Sequence, residues 1–270
     1  MGIHFRKGHG THNDFVLLKD PGGMREMTPE LVRALADRRG GIGGDGVIRV
    51  VRAGLVEGWD GDPELWFMDY WNADGTVAEM CGNGLRVFAE FLRSEQMLNE
   101  REFDVATRAG VKHARFVPGG VAVSVGRAVV GDETARVTVG EVTFDAVPVN
   151  VGNPHAVAFI GDENLAALDL HQAPAVEPSS LFPDGVNVEF VRVDGPGELA
   201  MRVHERGVGE TQSCGTGVVA AAAAYRSRVD FEGPVQVTVP GGQLLVEFNA
   251  DEAVLTGPAV IVASGDFHEY

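Results

Sequence analysis

Glu79-Met80-Cys81-Gly82-Asn83-Gly84 and Gln212-Ser213-Cys214-Gly215-Thr216-Gly217 decide the fold. Each sets C-G-N/T-G ahead of an apolar run. After Cys81, residues Leu85, Phe88, Ala89 and Leu92 fall at i, i+3, i+4 and i+7, the spacing of one helix face. After Cys214, Val218, Val219 and five alanines lead to Tyr225. That run is apolar all round and predicts a helix enclosed by other structure, its alanines letting strands come close. The cysteines stand 133 residues apart, almost half of the 270-residue chain. A second echo precedes them. Thr11-His12-Asn13-Asp14-Phe15-Val16 begins an apolar run 68 residues before Cys81, counted from Asn13, and Val151-Gly152-Asn153-Pro154-His155-Ala156 begins one 61 residues before Cys214, counted from Asn153. Two copies of one plan are expected, each a sheet wrapped on a helix with a Cys at its N-terminus.

The rest of the chain fits short strands. Gly46–Val51, Val121–Val130, Ala135–Val142, Val186–Val193, Pro234–Val239 and Gln243–Phe248 are Val-rich and bounded by Gly, Pro or Asp. Several alternate apolar with polar residues, which favours antiparallel or mixed sheet over a doubly wound parallel one. Pro29–Arg39 reads as a further helix, capped by Thr28, with Leu31, Ala34 and Leu35 on its apolar side. The fold class expected is α+β, in two pseudo-symmetric domains. The first spans residues 1–125 and holds Cys81, with a C-terminal strand at 259–270 returning to it; the second spans 126–258 and holds Cys214.

Composition narrows the function. Net charge is −17, from 22 basic and 39 acidic residues. An acidic surface repels nucleic acid and anionic lipid, so neither is an expected partner. No apolar run nears the roughly 20 residues of a membrane helix. Met1-Gly2-Ile3-His4-Phe5-Arg6 has no apolar core of a signal peptide. Two cysteines in 270 residues build no disulfide scaffold, and a reduced, cytoplasmic protein is expected. The chain has three lysines, Lys7, Lys19 and Lys112, none in a stretch suited to pyridoxal phosphate. The histidines show no metal-ligand spacing. Neither cofactor nor metal is therefore expected.

A helix N-terminus carries about half a positive charge and free N–H groups. A Cys there has its thiolate favoured and its pKa lowered. The glycines that follow leave first-turn amides open to a carboxylate. Two such half-sites facing one another across a cleft suit stereoinversion at a carbon next to a carboxylate. One thiolate removes the α-proton while the opposite thiol protonates the other face. Plainer roles exist for each residue: Gly43-Gly44-Asp45-Gly46 as a tight turn, the asparagines as caps, Glu205-Arg206 as a surface ion pair, His155 as a core histidine.

The whole set of segments resembles the diaminopimelate epimerases. The matching stretches are Gly10–Phe15, Arg38–Gly46, Asn72-Ala73-Asp74-Gly75, Met80–Gly84, Gly152–His155, Asn187–Phe190 and Glu205–Thr211 running into Cys214–Gly217. The resemblance implies a cofactor-independent amino-acid epimerase of lysine and peptidoglycan biosynthesis, acting on diaminopimelate in the cleft between two domains. It implies that Cys81 and Cys214 are the acid/base pair and that His155 and Glu205 assist them. By the same likeness Asn13, Asn72, Asn153, Asn187, Glu205 and Arg206 bind substrate, and Gly82, Asn83, Gly215 and Thr216 form the nests at the helix starts. Arg206 suits the distal carboxylate of a long diacid, as a buried guanidinium. A homodimer is compatible with this reading. Many members carry Gln where this chain has Gly46, so one pocket contact is missing.

Two rivals stand beside it. A proline or hydroxyproline racemase would share both cysteines, but its small substrate has no distal carboxylate for Arg206. A binding protein or thiol redox switch would use the two cysteines, yet leaves the Asn and Arg set without a role.

Overall fold

Strands outnumber helices throughout the computed structural model, which describes residues 2–161, 163–249 and 252–268. The expected domain ends at Met1, Glu269 and Tyr270 lie outside the described residues. So do positions 162, 250 and 251. The chain divides into two units, residues 1–123 with 257–270, and residues 124–256. These divisions fall two residues before those expected at 125/126 and 258/259. The first lies inside a strand, Gly120–Gly126, which continues past it without a turn.

The first unit begins with β1 (Ile3–Gly10) and β2 (Asn13–Lys19). Thr11 and His12 join them with positive φ of 49° and 64°, the sense that matches the twist of a two-residue hairpin. Helix α1 (Pro29–Ala36) follows, then β3 (Gly46–Arg52) and β4 (Trp66–Asn72). Helix α2 (Gly82–Ser94) leads to β5 (Glu102–Thr107), β6 (Gly110–Val117) and β7 (Gly120–Gly126). β2 runs parallel to β3, β3 antiparallel to β4, β4 parallel to β5, and β5, β6 and β7 form a meander. The last strand of the chain, Val260–Phe267, lies antiparallel to β1. Helix α2 packs against β1, β2, β3, β4 and β6. Leu85, Phe88, Ala89 and Leu92 are all buried, as the spacing predicts.

Helix α1 is shorter than its sequence suggests. It stops at Ala36 because Asp37 turns extended (ψ 123°) and its carboxylate accepts the N–H groups of Arg39 and Gly40 at 2.7 Å. The buried face is Val32, Leu35 and Ala36; Leu31 and Ala34 are only half-buried.

The second unit repeats the order. After the two-residue β8 (Val129–Val130) come β9 (Ala135–Val139), β10 (Val142–Asn150) and β11 (Pro154–Phe159). The short β12 (Ala175–Glu177) pairs with β9. Next stand β13 (Asn187–Gly195), β14 (Glu198–Glu205) and the short β15 (Gly209–Thr211). Helix α3 (Gly215–Arg228), β16 (Val235–Val239), β17 (Gly242–Asn249) and β18 (Glu252–Gly257) follow, with Val260–Phe267 as β19. β10 and β11 are antiparallel, β11 and β13 parallel, β13 and β14 antiparallel, β14 and β16 parallel. β16, β17 and β18 form a meander. That is the pairing sequence of β1 to β7 over again. The expected strand Val121–Val130 is interrupted at Gly126 (φ 110°), and Ala135–Val142 is two strands turning at Gly140 (φ 59°). Helix α3 is buried from Val218 to Tyr225 and packs against β10, β11, β13, β14, β16 and β17. Among the described residues no helix is long and apolar enough to cross a membrane.

Candidate active site

Both cysteines cap their helices in the same way. Cys81 has φ −142° and ψ 121°, Cys214 φ −116° and ψ 115°. Each is extended at the N-cap, and each Sγ accepts the N–H three residues on, Gly84 at 3.3 Å and Gly217 at 3.4 Å. Sulfur here takes the place that a Ser or Asp oxygen holds in most N-caps.

Around Cys81 the first unit gathers Asn13 and Asn83. The Cys81 Sγ lies 3.6 Å from Asn13 Oδ1, which also accepts from Asn83 Nδ2 at 3.3 Å. Asn13 is aimed by Asp45. Its Nδ2 donates to Asp45 Oδ2 at 2.7 Å, so Oδ1 is left for the cysteine side. Asp45 also accepts the Asp14 N–H at 3.1 Å and a guanidinium N–H of Arg38 at 2.7 Å. Burial pushes the Asp45 carboxyl up from its ordinary range. Burial also pushes Asp14 up, but Arg38 and Lys7 outweigh it and hold that carboxyl down to about 2. Gly43-Gly44-Asp45-Gly46 is thus a turn that delivers a positioning carboxylate. Sequence reading gave Asp45 no role, and no local signal separates it from an ordinary turn aspartate.

Asn72 pairs with Gly46 across β3 and β4, and its Nδ2 donates to Thr76 Oγ1 at 3.0 Å. It sits at the end of the strand beside the Asp45 turn, whose carbonyl accepts from Ala73 N–H. At Gly46 there is no room for a side chain. A Cβ would stand 2.5 Å from the Trp71 carbonyl oxygen and 2.6 Å from Tyr70 Cε2. A glutamine at position 46 is excluded here by the Trp71 carbonyl and the Tyr70 ring.

The second unit gathers Asn153, His155, Asn187, Glu205, Cys214 and Thr216. His155 is fully buried. Its Nδ1 lies 2.7 Å from Glu189 Oε1 and its Nε2 2.9 Å from Asn153 Oδ1. Asn187 stands opposite His155 in register and clasps two strand ends. Its Nδ2 donates to the Pro154 carbonyl at 3.2 Å, and its Oδ1 accepts the Arg206 N–H at 2.9 Å. Thr211 donates its hydroxyl to Glu205 Oε1. Thr216 Oγ1 is 3.5 Å from Cys214 Sγ.

Two expectations are corrected. Burial pushes the Cys214 thiol well up from its ordinary value, the carboxylates of Glu205 and Glu189 push it further, and hydrogen bonding from Thr216 and Gly217 opposes them only in part. The helix N-terminus, acting through the Gly217 N–H, is therefore outweighed. Arg206 is exposed, with Nη1 donating to the Asp184 carbonyl at 2.8 Å, so it is not the buried guanidinium expected. Glu189 and Arg86 are buried charged residues that sequence reading left without a role. Glu189 had a signal: it follows Asn187 by two on a strand and so shares its face. Among the described residues no group of three or more His, Cys, Asp or Glu has the arrangement of a metal site.

Known proteins resemble this chain over nearly its whole length. The sequence model of the family described as "Diaminopimelate epimerase" matches residues 5–131 and 147–262. The diaminopimelate epimerase of Streptomyces coelicolor is 49% identical over 98% of this chain and 95% of its own length. That of Thermobifida fusca is 46% identical over 98% and 97%. Among solved structures, a PhzF-family phenazine biosynthesis protein of Bacillus anthracis superposes with a TM-score of 0.70 at 15% identity, covering 100% of both chains. A hydroxyproline epimerase of Agrobacterium vitis does so with 0.65, also at 15% identity, covering 98% of this chain and 92% of its own. At such identity these two share the fold alone. The matched caps and the near-full-length kinship together place the chain in the diaminopimelate epimerase family.

Proposed function

We propose that the chain interconverts LL- and meso-diaminopimelate without a cofactor, Cys81 and Cys214 serving as base and acid from opposite faces of one α-carbon. The observation that carries this is the matched pair of N-cap sulfurs, alike in backbone angles and in the amide each accepts. In one direction a thiolate takes the α-proton and becomes a thiol. The electron pair left on the α-carbon is delocalised into the carboxylate, and the second thiol protonates that carbon and becomes a thiolate. Amides of Gly82, Asn83, Gly215 and Thr216 receive the carboxylate, where they oppose its growing charge. Asn13, Asn72, Asn153, Asn187 and Arg206 bind the rest of the diacid. Glu205 acts on Cys214, and His155 takes part in proton exchange. The reaction belongs to lysine and peptidoglycan precursor biosynthesis. A pair of thiols that must both stay reduced suits the cytoplasm.

The test is LL-diaminopimelate in deuterated water, with no added cofactor and with chelator present. The isomer ratio should approach equilibrium with one deuterium entering per inversion, and Cys81→Ser and Cys214→Ser should each abolish it. Activity that survives in either variant, or that hydroxylamine removes and pyridoxal phosphate restores, would refute the two-base reading. Proline racemisation is the runner-up on fold alone; the Asn72–Gly75 and Glu205–Gly207 segments favour the diacid.

A further inference from the structure

We propose that Arg86 is a positioning residue of this site: it fixes the direction of two side-chain amides in series, Asn83 and then Asn13, and so keeps the Asn13 carbonyl oxygen on Cys81. The proposal rests on the reading of Cys81 and Asn13 as site residues above and deepens it.

Arg86 lies on α2, five residues past Cys81, with no exposed surface. A guanidinium donates hydrogen bonds and accepts none. Its Nη2 donates to Asn83 Oδ1 at 2.8 Å, which commits the oxygen of that amide to the arginine. Asn83 is itself fully buried, and its Nδ2 donates to Asn13 Oδ1 at 3.3 Å. Asn13 in turn directs its Nδ2 at Asp45 Oδ2, 2.7 Å away, and an ionised carboxylate only accepts. The chain therefore runs from a donor-only end to an acceptor-only end. Turning either amide over would set N–H against N–H on one side of it and oxygen against oxygen on the other. The Cys81 Sγ donates to the same Asn13 Oδ1 at 3.6 Å, so the direction set at Arg86 ends on the sulfur.

Arg86 also lies under the turn that bears Asn13. Its Nη2 reaches Thr11 Oγ1 at 3.4 Å, and a Cβ at Gly10 would fall 3.1 Å from the same nitrogen. Its other donors go to the Gly82 and Pro258 carbonyls at 3.2 and 3.4 Å. All of these acceptors are neutral. Among the described residues no carboxylate makes an ion pair with Arg86; Asp14 and Asp45 pair with Lys7 and Arg38. A buried guanidinium with no carboxylate beside it is costly to keep, which argues for a role beyond filling space.

The second half lacks this residue. Val219, five residues past Cys214, takes the place of Arg86, and Thr216 takes that of Asn83. Thr216 needs no relay, because its hydroxyl oxygen lies 3.5 Å from Cys214 Sγ. Arginine and asparagine occur together in one copy, valine and threonine in the other. That pairing fits an arginine whose task is to aim the asparagine.

Exchange of side-chain amide protons with water tests this by NMR, in uniformly 15N-labelled protein without substrate. In R86M the Asn13 amide protons should exchange about three- to tenfold faster than in wild type, the equivalent of one neutral hydrogen bond, although Arg86 does not touch Asn13. Backbone amides of β2 from Phe15 to Leu18 should stay within about twofold of wild type. An Asn13 rate that does not change overturns the proposal. So does faster exchange that includes β2, since Arg86 would then merely prop the turn. N83L removes the middle link and leaves both charged ends and the N–H of residue 83 in place. It should quicken Asn13 to a similar degree, an unchanged rate again overturns the proposal, and N83L decides should R86M not fold. Diaminopimelate turnover is followed in the same variants, and kcat/KM should fall about three- to tenfold in R86M. Unchanged kcat/KM there would overturn the positioning role. A wild type that does not turn over diaminopimelate, with Asn13 responding as expected, would refute the substrate and keep the proposal. Turnover with an unresponsive Asn13 would do the opposite.

Discussion

Alanine at the two matched glycines, Gly84 and Gly217, should have unequal effects, although both are the third residue of a cysteine-capped helix. A Cβ at Gly84 meets Ile48 Cδ1 at 3.3 Å, Cys81 Cβ at 3.4 Å and Phe15 Cζ at 3.5 Å. Those atoms need yield only a few tenths of an ångström. Helix propensity then offsets the crowding, since Ala is favoured over Gly by about 1 kcal/mol within a helix. Gly84→Ala should be close to neutral. At Gly217 the new carbon would stand 2.6 Å from Glu189 Oε1. That oxygen is tied to His155 Nδ1 at 2.7 Å, and both residues are fully buried. Moving it strains a buried charge-assisted hydrogen bond worth about 1.5–3 kcal/mol. Set against the propensity gain, the net loss is about 0.5–2 kcal/mol, or roughly 1–8 °C in Tm for a domain of this size. Differential scanning fluorimetry on both variants measures the contrast, and turnover should fall further in Gly217→Ala than its stability does. Equal Tm values with equal turnover would show that Glu189 is not wedged against α3.

Other outcomes follow from the same geometry. Asp45→Asn removes the charge and one of the two acceptor oxygens that aim Asn13, and turnover should fall about 10- to 100-fold, the equivalent of one charged hydrogen bond; circular dichroism should stay native. Asp14 is held down to about 2 in the fold against an ordinary 3.8, so its contribution is complete above about pH 4 and disappears as pH falls towards 2. Urea midpoints for wild type should drop more steeply through that window than those for Asp14→Asn, and parallel curves would contradict the pairing with Lys7 and Arg38. Arg206 is exposed, so Arg206→Lys should leave Tm within about 1 °C while raising KM for diaminopimelate, because an ammonium lacks the planar fork. An unchanged KM would remove Arg206 from the substrate site.

What could be read in advance was local. The caps at Cys81 and Cys214 depend on a Cys, the glycines behind it and an apolar run, all within a dozen residues, and the structure shows both as N-caps. The buried face of α2 follows from spacing in the same way. By contrast, α1 ends at Ala36 and not Arg39 because a side chain, Asp37, captures two N–H groups beyond the helix, which periodicity does not register. Arg206 reads as a diacid clamp, yet its burial depends on what covers the turn after β14, and nothing near it in sequence encodes that. Arg86 falls between Leu85 and Val87 and looks like a polar position on an amphipathic helix. Only the strands packed around α2 make it a buried charge. Glu189 lies between Val188 and Phe190, where alternation marks a strand; both faces of that strand are buried because α3 covers one of them.

A duplicated sequence pattern conveys the duplicated part of the site and is silent on where the copies diverge. The two sulfurs sit in near-identical backbone, so each helix offers the same N-terminal field and the same capping amide. If that field decided the chemistry, the two thiols would be equivalent. Burial and carboxylates overrule it at Cys214, where the thiol is pushed up in spite of the helix. A field of about half a charge at a helix end is weaker than a full charge within the same buried pocket. At Cys214 the full charges are those of Glu205 and Glu189.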